Sequence, residues 1–474
     1  MKVQYLPALL CAAFATQLEA AKVIPNNAAA NLVLGQQDFV TSTFTNPYTS
    51  FRVQAPVSVI VDPVTRKVFV GDADGDRILR FANVSTLVNG APAEAVFGAS
   101  TFSDGGEGIS QTEFRDPYAL CLDRFGRLWV ADIFNNRVIC FEAAAFRGDS
   151  PSADLVFGQP DFVTGTSGTT ASKMSNPSGV WVDSSDNLWV ADSGNNRVLK
   201  FATITNKSSG SSADSVIGQA NFTTSLAGSG NTGLQSPNSV HVSSKGTLYV
   251  TCQNANRVMA FNNAAGLGTN PPASAVFGQP DFATTISGLT DSKFSNPTGC
   301  FVTPDDSLWV TDSSNNRLLR FSSISTKANG AAADGVIGQA DFVTGTSAVS
   351  SQAFNFPRGT AFVDATGSLW IADSFNNRVL RFAPDTKKPT LVVTSNVPGS
   401  TTNAKLTIKG TASDNSSVSK VQFQVNGGAA KDATGTTTWQ FKASLKPGQN
   451  TIKVFAVDSV GNKSVIKTLK VTRS

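Results

Sequence analysis

The chain has 474 residues, 41% of them hydrophobic and 9% aromatic, with only 15% charged and a formal net charge of +4. That length exceeds what one hydrophobic core supports, so several domains or a repeat array are expected, and the apolar content excludes a disordered chain. Sparse charge together with abundant Gly, Ser, Thr and Asn argues against helical bundles and for short strands joined by polar turns.

The N-terminus reads MKVQYLPALLCAAFATQLEAA. Lys2 gives a positive start, Tyr5 to Ala15 form an apolar run, and Leu18-Glu19-Ala20 places a small residue before a cleavage point. Residues 1–20 are therefore expected to be a secretory signal peptide, since the run is too short to span a bilayer. No other stretch is apolar enough to do so, which predicts no transmembrane segment. Cys121, Cys140, Cys252 and Cys300 occupy unrelated strand positions and predict buried thiols rather than a disulfide framework.

From residue 32 the chain repeats. Six copies of one element run VFVGDADGDRILRF (68–81), LWVADIFNNRVICF (128–141), LWVADSGNNRVLKF (188–201), LYVTCQNANRVMAF (248–261), LWVTDSSNNRLLRF (308–321) and LWIADSFNNRVLRF (369–382). Their arginines fall 60 residues apart with one step of 61, the extra residue lying between Pro357 and Asp364. Each copy is preceded by a Pro-led apolar run, such as PSGVWVD (177–183), and all but the last are followed by a run ending in Gly, such as VFGQPDF (156–162). Four short Val-, Leu-, Ile-, Trp- and Phe-rich runs per period predict four-stranded sheets, and six such sheets predict a six-bladed β-propeller over 32–383. The first Gly-ending run (Val33–Gly35) has no partner before it, and the last RVLRF run has none after it. The N-terminal strand is thus expected to complete the sixth blade and close the ring.

Taken together, Pro-x-Gly-Val-x-Val-Asp, LWVAD and NNRVLKF resemble the NHL-repeat propellers. Two departures stand out: the period exceeds the usual repeat length of about 40 residues, and blade 4 carries Cys252 where the others have Asp.

The DSGNNR turn raises the question of whether it is a site or a joint. Asn or Asp always precedes the Arg, and both tolerate left-handed backbone while their side chains satisfy turn amides. Six near-identical copies around an axis suit six blade joints better than one active site. Asp72, Arg77, Asp132, Arg137, Asp192, Arg197, Arg257, Asp312, Arg317, Asp373 and Arg378 are accordingly read as structural turn residues, the Arg fork pairing with an Asp of its own or a neighbouring turn. Asp72, Asp74 and Asp76 have calcium-loop spacing but lack the twelfth-position Glu, and are read as the ordinary turn.

A ligand site is expected where the Pro-led innermost strands open on the axial channel. Asp116, Tyr118, Asn176, Asn238, Asn296 and Arg358 are the candidate binding residues there. The loops from each Gly-ending run to the next Pro, for example residues 159–176, join the tight turns on the same face. The resemblance implies further possibilities. Six-bladed lactonases as a family hold calcium on channel carboxylates, but Asp116 is alone among these positions in being acidic. Amidating lyases of the NHL group hold zinc on histidines, whereas this chain has only His241, at a place filled by Trp181 and Phe301 in other blades. One histidine builds neither that site nor a Ser-His-Asp triad, so no catalytic residue, metal or cofactor is assigned. Intracellular NHL propellers that bind RNA are set aside because export is predicted and the propeller has no basic excess.

Beyond a linker at 384–389, residues 390–474 alternate as strands separated by NGG, PGQN and SVGN turns, predicting an antiparallel β-sandwich. DTKKPT, GTASDNSSV and AVDSVGNKS are similar to bacterial Ig-like modules of secreted proteins. From residue 386 there are 13 Lys or Arg and 3 Asp, a net +10, leaving −6 for residues 1–385. The basic sandwich could contact an acidic envelope surface, or its charge could serve solubility alone. The leading expectation is an exported bacterial binding or scaffold protein, secreted, periplasmic or at the cell surface, whose propeller loops recognise a protein or glycan. The alternative is a channel-mouth enzyme of the lactonase or lyase kind.

Overall fold

The computed structural model describes residues 24–43, 48–105 and 107–474. The expected signal peptide at 1–20 lies outside them. Two compact units are present, one containing Asn26–Ala383 and one containing Pro384–Ser474. No α-helix occurs among the described residues, whose only helical pieces are three-residue 3₁₀ turns.

The first unit is six four-stranded antiparallel sheets. Blade 3 shows the plan: Pro177–Val182 innermost, then Leu188–Asp192, Arg197–Phe201 and Ser215–Ile217. Its strands are almost wholly buried because each sheet packs on both faces against neighbouring sheets, which is why they read as continuous apolar runs. The innermost strands of successive blades touch around the axis, and that of blade 1 meets those of blades 2 and 6. Blade 6 is closed by Leu32–Leu34, which pairs antiparallel with Arg378–Phe382 through Leu32↔Arg381, Val33↔Leu380 and Leu34↔Val379. The ring is thus a six-bladed β-propeller sealed by its N-terminal strand.

The glycine ending each outer strand has a steric reason. Gly278 sits at φ +85°, where a Cβ would stand 2.2 Å from the Phe294 ring. The extra residue of the 61-residue step is absorbed in the innermost strand of blade 6, whose register shifts between Arg358 and Phe362. Such bulges re-aim side chains at barrel rims and beside sites.

The second unit is a two-sheet sandwich. A three-stranded sheet of Thr390–Val393, Lys405–Ser413 and Thr438–Ser444 packs on a five-stranded sheet that includes Val418–Val425, Gly448–Asp458 and Lys467–Arg473. Its core centres on Ile408, Val421, Trp439, Phe441 and Ile452, with Phe423 stacked on Phe441 at 3.9 Å. The short strands Ser400–Thr401 and Lys431–Asp432 add to the six runs visible in the sequence.

Candidate functional site

The repeated turn is built as a clamp. In blade 3, Asp192 Oδ2 accepts from Arg197 Nε at 2.6 Å and from Asn195 Nδ2 at 2.8 Å, while its Oδ1 accepts the Ser175 N–H at 2.7 Å. The remaining guanidinium nitrogens donate to the carbonyls of Thr170, Lys173 and Phe222, which belong to the loops on either side of the blade. Asn196, left-handed at φ +50°, accepts the Ser236 N–H of blade 4 at 2.8 Å. One turn therefore ties two loops and the next blade together.

The same ion pair forms at Arg77–Asp72, Arg137–Asp132, Arg317–Asp312 and Arg378–Asp373, at 2.6–2.7 Å with both side chains fully buried. Each pair lies within its own turn. Burial pushes the Asp72, Asp312 and Asp373 carboxyls up to about 6, against the pull of their arginines. Blade 4 departs from the pattern. Arg257 keeps its carbonyl partners Gly230, Gly233 and Phe282, but its Nε has no partner where Cys252 replaces the carboxylate.

Around the mouth, six-fold likeness breaks down. The positions flanking each inner-strand Pro, and the second position of each tight turn, carry only Asn, Ser, Thr or Gly in blades 3, 4 and 5. In the contiguous blades 6, 1 and 2 they include Phe356, Arg358 and Phe375, then Asp74, then Asp116, Tyr118 and Phe134. Phe356 and Phe375 stack at 4.8 Å, and the Arg358 guanidinium lies 5.3 Å from both ring centres. Phe134 carries Arg115 at 5.8 Å. Phe134 and Phe375 are 50% and 51% exposed.

Asp116 adopts φ +61° and donates its N–H to Asp76 Oδ1 at 2.7 Å, the blade 1 version of the inter-blade stitch. Burial, then the Asp76 charge, pushes its carboxyl up to about 7, while Arg358 pulls it down. Its Oδ1 is buried without a hydrogen-bond partner. Burial also raises the Tyr118 phenol, again opposed by Arg358, and Arg358 likewise opposes the burial-driven rise at Asp74.

Of the candidate residues, the fold thus gathers Asp116, Tyr118, Asn238 and Arg358. Asn238 hydrogen-bonds the Tyr118 phenol, is only 5% exposed, and donates to Gln253 Oε1 at 3.1 Å. Asn176 and Asn296 stand apart in blades 3 and 5. Both have left-handed backbones and donate their N–H groups to the joints of the preceding blades. Asp74, Phe134, Phe356 and Phe375 join the mouth without having been among the candidate binding residues. The signal that finds them is departure from the repeat: a joint must recur in every blade, whereas a single site need not.

Below the mouth the channel is packed. Ser239 Oγ and Thr360 Oγ1, from blades 4 and 6, lie 2.9 Å apart, and Thr311 Oγ1 donates to the Gly359 carbonyl at 2.7 Å. The axial cavity measures about 30 Å³, room for roughly two water molecules. Trp181, His241, Phe301 and Phe362 follow one another at 4.2, 4.6 and 5.4 Å. His241 Nε2 meets the Val302 carbonyl at 3.1 Å, and burial drives its pKa to about 3, so the ring is neutral and part of this packing.

One convergence was not visible in the sequence. Asp385, Asp414 and Asp458 of the second unit each bring a carboxylate oxygen within 4.8 Å of the others. Their oxygens accept mainly from nearby turn groups: the Lys387 N–H, the Ser416 N–H and hydroxyl, and Asn462. Among the described residues this is the one grouping of three such ligands, and its all-oxygen chemistry is of the kind a hard cation takes. All four described cysteines are buried and free.

The geometry defines an all-β protein, a closed six-bladed propeller followed by an Ig-like sandwich. The NHL repeat family matches residues 174–201 and the Bacterial Ig domain family matches residues 389–454. No curated protein matches the sequence of this chain. Among solved structures, virginiamycin B lyase from Staphylococcus aureus is similar at 14% identity and TM-score 0.38, over 72% of this chain and 88% of that one. A nutrient binding protein from Bacteroides thetaiotaomicron VPI-5482 is similar at 9% identity and TM-score 0.47, over 74% and 76%. Likenesses this distant carry no argument about activity. No helix among the described residues is long and apolar enough to cross a membrane.

Proposed function

We propose that the chain is an exported bacterial binding or scaffold protein whose propeller takes a protein or glycan at the channel mouth. The Ig-like module acts as spacer or envelope contact. This reading takes residues 1–20 as a removed signal, 32–383 as the ring, 384–389 as linker and 390–474 as the sandwich. The carrying observation is the broken symmetry of the mouth. Exposed Phe134 and Phe375 offer flat apolar faces, and Arg358, Asp74 and Asp116 offer charged donors and acceptors beside them. An aromatic platform with polar groups at its edge suits a ligand that is apolar on one face and hydroxylated at its rim.

The test is capture on a glycan array and by pull-down with the full chain. Phe375→Ala and Arg358→Ala should each weaken capture at least tenfold, whereas Asn254→Ala and Ser314→Ala on the opposite half should leave it unchanged. Chelators should have no effect. Equal losses on both halves would remove the basis for the reading. The lactonase- or lyase-like alternative draws support from Asp116, a carboxyl held near 7 in a cleft. A calcium-dependent rise in Tm abolished by Asp116→Ala would favour it.

A further inference from the structure

The sandwich offers a surface of a different kind. Its three-stranded sheet alternates strictly, burying Ile408, Gly410 and Ala412 from one strand and Trp439, Phe441 and Ala443 from the next. The outward positions are free of packing demands, so their composition reflects something other than the core. Lys405, Thr407, Lys409 and Thr411 point out along one strand, and Gln440 and Lys442 along its neighbour, all exposed. The other outward positions are Ser or Thr apart from Val392, and none is acidic. A surface serving solubility alone normally intersperses both signs.

The register gives the face a shape. Lys409 lies opposite Gln440 and Thr407 opposite Lys442, so Lys442 falls level with the midpoint between Lys405 and Lys409. With about 3.3 Å per residue and ~4.8 Å between strands, the three lysine backbone positions form a zigzag roughly 13 Å long, parallel to the strands. Two of the unit's three Asp after residue 386 are spent elsewhere, Asp414 and Asp458 meeting Asp385, while Asp432 lies on the other sheet beside Gln422. No acidic side chain stands among the outward positions of this face.

We propose that this face docks a linear, carboxylate-bearing polysaccharide. Lys405, Lys442 and Lys409 pair with successive carboxylates, and the threonine hydroxyls and Gln440 amide bond to the sugar hydroxyls between them. A flat, hydroxyl-rich face with one exposed apolar residue suits a hydrated polyanion better than a lipid bilayer, which rewards apolar insertion. The inference deepens the envelope-contact part of the proposed function and rests on it. It uses none of the residues of the propeller mouth, so mouth variants should leave it intact.

The experiment measures binding of the full chain to polygalacturonate in 50 and 500 mM NaCl. The triple variant Lys405→Gln/Lys409→Gln/Lys442→Gln is compared with Lys453→Gln/Lys467→Gln/Lys470→Gln, which removes equal charge from the other sheet. The first triple should weaken binding at least tenfold and the second less than threefold, with salt abolishing binding of the parent. Equal losses would reduce the effect to net charge and overturn the proposal. Tighter binding to phosphatidylglycerol vesicles than to the polysaccharide, or no binding to polygalacturonate at low salt, would overturn it as well.

Discussion

At the scale of single residues, the buried arginines carry the ring. Arg197 is fully buried, yet its carboxylate partner and three carbonyls satisfy it, which is the condition under which a buried charge is tolerated. Blade 4 departs twice: Cys252 stands for the Asp, and Ala255 for the Asn that shares it in blades 2, 3, 5 and 6. Restoring both with Cys252→Asp/Ala255→Asn gives the stranded Arg257 Nε an acceptor and should stabilise the propeller by about 1–3 kcal/mol. Chemical denaturation reads this as a higher midpoint at unchanged slope; a lower midpoint would mean that the blade 4 turn cannot accept the clamp. Asp116 makes a pH-dependent prediction. Its carboxyl titrates near 7 when folded and near 3.9 when unfolded, so the folded state holds the proton more tightly between those values. The stability this provides is complete below about pH 4 and is lost as pH rises through 7. Asp116→Asn stays neutral and keeps a residue that accepts left-handed backbone, as Asn176 and Asn296 do in the same place. The variant should melt above the parent at pH 8, with the gap closing toward pH 4. A gap independent of pH would refute this account of the group.

At the scale of elements, ring closure depends on three residues. Leu32, Val33 and Leu34 are 2%, 0% and 0% exposed, each worth about 1.5–3 kcal/mol of burial. Just after them, Gln36 Nε2 donates to the Asn377 carbonyl at 3.1 Å. Removing residues through Gly35 would leave Arg378–Phe382 as an open sheet edge beside a vacated groove. The shortened chain should lose its cooperative melt or aggregate below the parent Tm, as read by circular dichroism and light scattering. A melt matching the intact chain would show that the strand does not seal the ring. This closure was legible in the sequence because an unpaired strand motif at each end of a fixed repeat has only one place to go. The bulge at Arg358–Phe362 was legible only as a one-residue surplus between Pro357 and Asp364; where the backbone absorbs it depends on the neighbouring strands.

At the scale of the whole molecule, two units divide the charge. The propeller gathers its distinctive side chains on one half of its mouth, and the sandwich turns outward a basic sheet face that carries no acidic side chain. By itself the sequence determined the repeat, the blade count, the closing strand and the sandwich. These follow from local periodicity, turn chemistry and the need to bury apolar faces, all of which are written along the chain. Only the tertiary structure decided which candidate residues come together at the mouth. Asp116 and Arg358 are 242 positions apart, and ring closure brings blade 6 round to blade 1 so that their charges interact. Asn176 and Asn296, of the same residue type and in the same repeat position, remain joints on other spokes. The packed axis was also settled there, because the space left inside a ring depends on how closely six backbones approach, and no single repeat contains that distance.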